Sequence, residues 1–235
     1  MSTTVLHYLY DPLCGWCYGA APLVEAARAI PELHVALHGG GMMSGANRQP
    51  VSVALRNYVM PHDHRIAALT GQVFGADYFD GLLRDTGAVF DSTPPTTAIL
   101  AAEALGERGA DLLKRIQIAH YVEGRRIADT EVLSQLAADI GLDPTAFATE
   151  SARQDGAATQ AHIAASRHLL GQVGGRGFPT FALQQGDTLT LLDAGRFFGQ
   201  PAVWRHFLEQ QGRATLAEAP AAAAQPGCAN GSCAI

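Results

Sequence analysis

The sequence predicts an α/β fold in which a long helical block interrupts a small strand-and-helix frame. Three observations carry that prediction. Residues 5–9, 20–30 and 34–38 read strand, helix, strand at the N-terminal end. Roughly residues 47–171 show helical periodicity with no convincing strand. After Gly174-Gly175-Arg176-Gly177 the apolar period returns to two, then ends in one more helix.

Thr4-Val5-Leu6-His7-Tyr8-Leu9-Tyr10 is rich in β-formers and opens the chain as a strand. The next run keeps Cys17, Ala21, Val24 and Ala27 on roughly one helical face. Pro22 lies inside it and cannot donate to the Tyr18 carbonyl, so a kink is expected there. His34-Val35-Ala36-Leu37-His38 is the second strand, ended by Gly39-Gly40-Gly41, and a strand–helix–strand unit implies a parallel, right-handed crossover.

In the helical block, Val51, Leu55, Tyr58 and Val59 share a face ahead of Pro61, where that helix is expected to stop. Ile99, Ala102 and Leu105 lie in a run starting near Thr96, after the breaker Pro94-Pro95. Leu112, Leu113, Ile116, Ala119 and Val122 form another stripe, ended near Gly124. Thr130 is the expected N-cap for Val132, Leu133, Leu136 and Ile140, and Asp143-Pro144 for a short helix carrying Phe147. A helix over about 157–170 carries Ile163, Ser166 and Leu170. Residues 179–183 and 188–192 flank Gln185-Gly186-Asp187 as a β-hairpin. Pro201 opens a helix with Val203, Trp204, Phe207 and Leu208, expected to stop at Gly212. The Ala-, Pro- and Gly-rich residues 213–235 read as a flexible tail.

Bulk properties narrow the function. The chain has 235 residues, 48% apolar and 16% charged, an ordinary globular composition. A net charge of −6 leaves no basic footprint for nucleic acid. No apolar run reaches the roughly 20 residues of a membrane span. Met1-Ser2-Thr3-Thr4 carries none of the features of a secretory leader, so the expected compartment is the cytoplasm, where disulfides are mostly transient and catalytic.

Chemistry concentrates in Cys14-Gly15-Trp16-Cys17, at the junction of the first strand and helix. Two thiols one helical turn apart at a helix N-terminus are placed for thiol–disulfide exchange. Unpaired N–H groups and the positive helix end favour thiolate at Cys14, and Cys17 lies near enough to resolve a mixed disulfide. The competing readings are a structural pair and a zinc site completed by Cys228 and Cys233, although zinc knuckles use loop geometry rather than a strand-to-helix junction.

Cys228 and Cys233 form a second pair in the tail. Three readings stand: incidental thiols, a shuttle dithiol exchanging with Cys14–Cys17, or soft-metal capture. As a flexible coil, the stretch from Gly212 to Cys228 spans roughly 20–24 Å, long enough to reach the first pair. His62-Asp63-His64 resembles a ligand cluster but reads more simply as a solvated helix start after Pro61. Gly39-Gly40-Gly41 lacks the lysine and spacing of a phosphate loop and reads as a turn with backbone contacts near the site. Arg125-Arg126 reads as a solvated helix end, and His7 and His38 as core or cleft residues.

The motif Asp11-Pro12-Leu13-Cys14-Gly15-Trp16-Cys17-Tyr18-Gly19, Pro22 five residues after the second cysteine, and Gly177-Phe178-Pro179-Thr180 opening the hairpin together resemble the DsbA family, in its FrnE-like branch. The resemblance covers roughly residues 4–211. It implies a thioredoxin-like fold with a large helical insertion, divided as residues 1–46 plus 172–212, insertion 47–171, and tail 213–235. It also implies a cis Phe178–Pro179 bond with Pro179 facing Cys14. Catalysis is then expected at Cys14, Cys17 and Pro179, and substrate contact at Gly15, Trp16, Phe178 and Thr180. Gly15-Trp16 matches neither the histidine of strongly oxidising members nor the proline of thioredoxin, so no redox potential carries over.

The resulting expectation is a thiol–disulfide oxidoreductase or isomerase, without cofactor or metal, acting on disulfide- or thiol-bearing proteins or small thiols. A glutathione-dependent isomerase or transferase is the alternative. Relatives of that kind resemble the chain but carry serine at the first cysteine position, and glutathione binding by Cys14→Ser separates the two. A non-catalytic holdase is a third reading, distinguished by client protection that survives loss of all four thiols. Oligomeric state does not follow from the sequence.

Overall fold

A computed structural model describes residues 4–218 of the chain, with side chains through residue 211. Strand β1 (Thr4–Tyr10) sits at the centre of a four-stranded mixed sheet of order β2-β1-β5-β6. It runs parallel to β2 (Leu33–Gly39) with Thr4 opposite Leu33, and antiparallel to β5 (Thr180–Gln185) with Tyr8 opposite Phe181. β5 turns at Gly186 (φ 57°) into the antiparallel β6 (Thr188–Leu192). The crossover and the hairpin follow the sequence expectation.

Side-chain alternation along β1 assigns its two faces. Leu6, Tyr8 and Tyr10 lie on one side with Phe181 and Leu183; Tyr8 stacks on Phe181 with ring centroids 4.7 Å apart. Trp204 of the last helix packs edge-on against Phe181 and is fully buried. On the opposite side His7 bonds His38 (2.9 Å) and Gln184 (2.8 Å), and His38 stacks on His162. Helices therefore cover both faces of the sheet.

The Cys14–Cys17 motif enters as α1 (Gly15–Gly19), followed after Ala20 by α2 (Ala21–Arg28). The expected single helix with an internal proline is thus two helices. Pro22 occupies the first turn of the second, where its missing N–H needs no intrahelical partner.

The remaining helices are α3 (Val53–Thr70), α4 (Thr93–Ala104), α5 (Gly109–Tyr121), α6 (Thr130–Asp139), α7 (Pro144–Gln154), α8 (Ala157–Gln172) and α9 (Pro201–Glu218). Four boundaries differ from the sequence reading. α3 continues through Pro61, because Leu55, Asp63 and Ile66 on either side of it bury a common face. Pro94-Pro95 opens α4 rather than preceding it. α6 takes its N-cap position at Asp129 instead of Thr130. α9 runs past Gly212 to Glu218, so residues 213–218 extend a helix rather than begin a tail.

Two two-residue strands, β3 (Gln49–Pro50) and β4 (Val89–Phe90), pair antiparallel within the stretch read as strandless, being too short to show alternation. Asp143 caps α7 as expected, its carboxylate accepting from the Ala146 N–H at 2.8 Å. No described helix is long and apolar enough to cross a membrane.

Candidate active site

Cys14 occupies the N-cap position of α1, with extended backbone (φ −90°, ψ 113°), and its side chain makes no capping bond to that helix. Its thiol instead donates to the Phe178 carbonyl at 3.3 Å, across 164 residues of sequence. The Phe178–Pro179 peptide bond is cis. The hairpin entrance thus meets the CxxC helix, as the resemblance anticipates. Cys14 and Cys17 are both free thiols, the first 6% exposed and the second fully buried.

The burial difference separates the two chemically. Burial above all, then the hydrogen bond and charge of neighbouring Cys14, push the Cys17 thiol well above the ordinary thiol range; the Asp11 N–H opposes that rise. This N–H reaches the Cys17 sulfur at 3.5 Å, and the Tyr8 hydroxyl donates to the Cys17 carbonyl at 3.2 Å. Burial holds Cys17 as a neutral thiol, while Cys14, also buried, keeps the small solvent-accessible area of the pair.

The loop opposite is shaped by packing. The Phe178 ring lies on Gly40, where a Cβ would come within 1.9 Å of the ring. The glycine turn after β2 is therefore a seat for Phe178, and Arg167 ties it to α8 by donating to the Gly40 (2.8 Å) and Gly41 (2.6 Å) carbonyls. The Thr180 hydroxyl is committed to the Gly177 carbonyl at 2.7 Å, closing the loop from inside. Trp16 lies between the Phe198 ring (5.4 Å) and the Arg65 guanidinium (5.8 Å), forming one wall beside Cys14. Gly15 is the contact point for α3, as a Cβ there would meet Asp63 Oδ1 at 2.6 Å.

Two acids named in the sequence motifs are buried, which the sequence reading does not anticipate. Asp11 accepts from the Leu13 N–H (2.9 Å), the Met42 N–H and the Ser92 hydroxyl (2.8 Å), joining the redox loop, the glycine turn and the start of α4. Burial raises its carboxyl from 3.8 to about 6 despite these donors. Its position directly after a strand and before Pro12 is the available signal. In sequence Asp63 reads as part of a solvated helix start, with a ligand cluster as the alternative. It is instead buried mid-helix, with Tyr78 donating to its Oδ2 at 2.9 Å.

The other two members of that cluster turn elsewhere, His62 toward Tyr58 and His64 toward Phe79, so the three do not converge. Among the described residues no group of three or more His, Cys, Asp or Glu is arranged to hold a metal. His7 and His38 fall on the sheet face away from the thiols, and burial lowers His38 from 6.5 to about 4. Arg126 pairs with Asp85 and Arg125 with Gln135 at the surface. Cys228 and Cys233 lie outside the described residues.

A family described as the DSBA-like thioredoxin domain matches residues 5–203. The chain is similar to the cytosolic disulfide reductase DsbM from Pseudomonas aeruginosa, with 60% identity over 89% of this chain and 99% of that one, at a TM-score of 0.85. The same reductase in a structure with GSH aligns at 59% identity over 89% and 99% of the two chains, with a TM-score of 0.83. A putative protein disulfide isomerase from Nitrosomonas europaea follows at 25% identity, covering 90% of this chain and 98% of its own, with a TM-score of 0.74. No curated protein matches. The chain belongs to the DSBA-like thioredoxin domain family and is, at that level, a thiol–disulfide oxidoreductase.

Proposed function

We propose that the chain is a cytosolic disulfide reductase that works through Cys14 and Cys17 and exchanges electrons with glutathione. The observation that carries this reading is the Cys14 thiol, at a helix N-terminus and in contact with the Phe178 carbonyl beside a cis proline. A substrate strand aligned along Phe178, Pro179 and Thr180 presents its disulfide to Cys14, with Trp16 as apolar contact.

The Cys14 thiolate attacks one substrate sulfur, and the other leaves as a thiolate that takes a proton from solvent. Cys17 then gives up its proton and attacks the Cys14 sulfur. A Cys14–Cys17 disulfide forms, the second substrate thiol is released, and two electrons have passed to the substrate. Two glutathione molecules restore the dithiol and leave as glutathione disulfide. The 60% identity to a disulfide reductase and that protein's structure with GSH support the direction and the small-thiol partner.

Insulin-disulfide reduction driven by glutathione tests the reading. Cys14→Ser is expected to abolish it, and Cys17→Ser to accumulate a mixed disulfide at Cys14. Full turnover by Cys14→Ser sinks the proposal. The glutathione-transferase alternative keeps one supporting observation, the relative's structure with GSH, and predicts that Cys14→Ser retains both glutathione binding and turnover.

A further inference from the structure

We propose that Asp63, pressed from α3 against the Gly15 link of the redox motif, opposes the Cys14 thiolate and biases the dithiol toward acting as a reductant. The inference rests on the reductase reading above and names the residue that sets its direction. Asp63 acts through Cys14 rather than on substrate, so it is a positioning residue.

The geometry comes first. Asp63 is only 3% exposed, and its Oδ1 occupies the space a Cβ on Gly15 would need. Gly15 is bonded directly to Cys14, so any charge on the carboxylate sits one residue from the reactive sulfur, away from bulk water. Ile66 packs beside it, 3.1 Å from the same Cβ position. Burial and the bond from the Tyr78 hydroxyl hold the carboxyl against α1.

The titratable and charged neighbours leave that charge uncompensated. From α1 the residue in contact is Gly15, next to Cys14 and two before Cys17. The other buried acid at the motif, Asp11, lies on the Cys17 side, where its N–H reaches the sulfur at 3.5 Å and its charge adds to the rise of that thiol. Tyr78, in the π-helical turn Asp77–Gly81, donates to Oδ2, and Tyr121 of α5 feels Asp63, Cys14 and Cys17 alike. Nearby cations are engaged elsewhere: Arg56 and Arg84 with Asp80, and Arg65 over the Trp16 ring. His62 and His64 are exposed on the same helix. No ion pair to Asp63 occurs among the described residues, and burial raises its carboxyl from 3.8 to about 7, opposed only by the Tyr78 bond. Around neutral pH the charge is thus partly present, and it grows as pH rises.

The redox consequence follows from charge balance. Reducing the Cys14–Cys17 disulfide takes two electrons and two protons, or one proton where Cys14 stays a thiolate. The disulfide carries no charge for Asp63 to repel, whereas the thiolate does. A carboxylate here destabilises the reduced form alone, which lowers the potential. Members whose reduced form is stabilised are the strong oxidants.

Asp63→Asn keeps the shape and an oxygen for the Tyr78 hydroxyl while removing the charge. Tyr78→Phe keeps the ring and removes the donor that favours the ionised carboxylate. In the full-length protein, the pH profile of iodoacetamide alkylation is read on the peptide containing Cys14, and the dithiol fraction is read in glutathione redox buffers. Asp63→Asn is expected to move the alkylation midpoint to lower pH. It should also shift the equilibrium constant toward dithiol about tenfold, equivalent to about 30 mV.

Tyr78→Phe should shift the midpoint in the same direction by less. A midpoint that stays put or rises in folded Asp63→Asn overturns the proposal. If that variant does not fold, an unmoved or raised midpoint in Tyr78→Phe overturns it instead. A purely structural Asp63 would lower the melting temperature and leave the profile in place. Alkylation needs no substrate, so failure of the reductase reading, seen as insulin turnover by Cys14→Ser, is a separate result.

Discussion

At the residue scale, the glycine turn after β2 is read only as a loop in sequence but is fixed by the aromatic ring it receives. Gly40→Ala drives a methyl into the rigid Phe178 ring, which must move and carry Pro179 with it. Overpacking of this kind costs roughly 1–3 kcal/mol, so the variant should melt earlier and lose kcat/KM for disulfide reduction. A melting temperature and rate equal to the parent's would show that the seat is soft. Asp11 is the second such residue, since the local Leu13 N–H and two donors from distant segments, Met42 and Ser92, converge on one carboxylate. Asp11→Ala leaves buried donors unmatched at about 1–3 kcal/mol each, and chemical denaturation should register a loss of at least that size.

At the element scale, α3 is the support on which the redox helix rests. Gly15 and Gly19 are one turn apart on α1, and both face α3: a Cβ on Gly19 would meet Ile66 at 2.8 Å. The two helices therefore approach more closely than any larger residue at these positions would allow. The N-terminus of α3 is tied by Ser52, whose hydroxyl accepts from the Leu55 N–H at 3.1 Å. Ser52→Ala should cost about 1 kcal/mol in thermal or urea unfolding, a typical N-cap loss. Pro61 was expected to end this helix because it cannot donate to the preceding turn. The burial of Leu55, Asp63 and Ile66 outweighs one missing hydrogen bond, and no local sequence rule reveals that balance.

At the scale of the whole molecule, the buried ionisable groups oppose one another in their pH dependence. Asp11 (3.8 to about 6) and Asp63 (3.8 to about 7) bind protons more tightly folded than unfolded, so their contribution to stability falls as pH rises through that window. His38 (6.5 to about 4) and His120 (6.5 to about 3) are buried neutral, so their contribution falls as pH drops below 6.5. The two effects have opposite signs and similar size between about pH 4 and 6.5, so the parent should show a shallow profile there. Asp63→Asn removes one carboxyl from the balance, and its unfolding free energy should rise with pH across the same range. A variant curve parallel to the parent's would argue against a protonated Asp63 in the folded chain.

The parallel crossover, the closing hairpin, the placing of Cys14 and Cys17 at the strand-to-helix junction and most of the buried helical stripes are legible in the sequence. Each is encoded by local periodicity or by neighbouring residues, so each is readable without coordinates. The helix through Pro61, the break at Ala20 and the extension of α9 past Gly212 were decided by packing that overrides propensity. The seat of Phe178 on Gly40, the Asp11 junction and the charge of Asp63 behind Gly15 were decided only by the tertiary structure. They join residues distant in the chain, and a carboxylate's burial and charge depend on what the fold brings against it, not on its sequence neighbours.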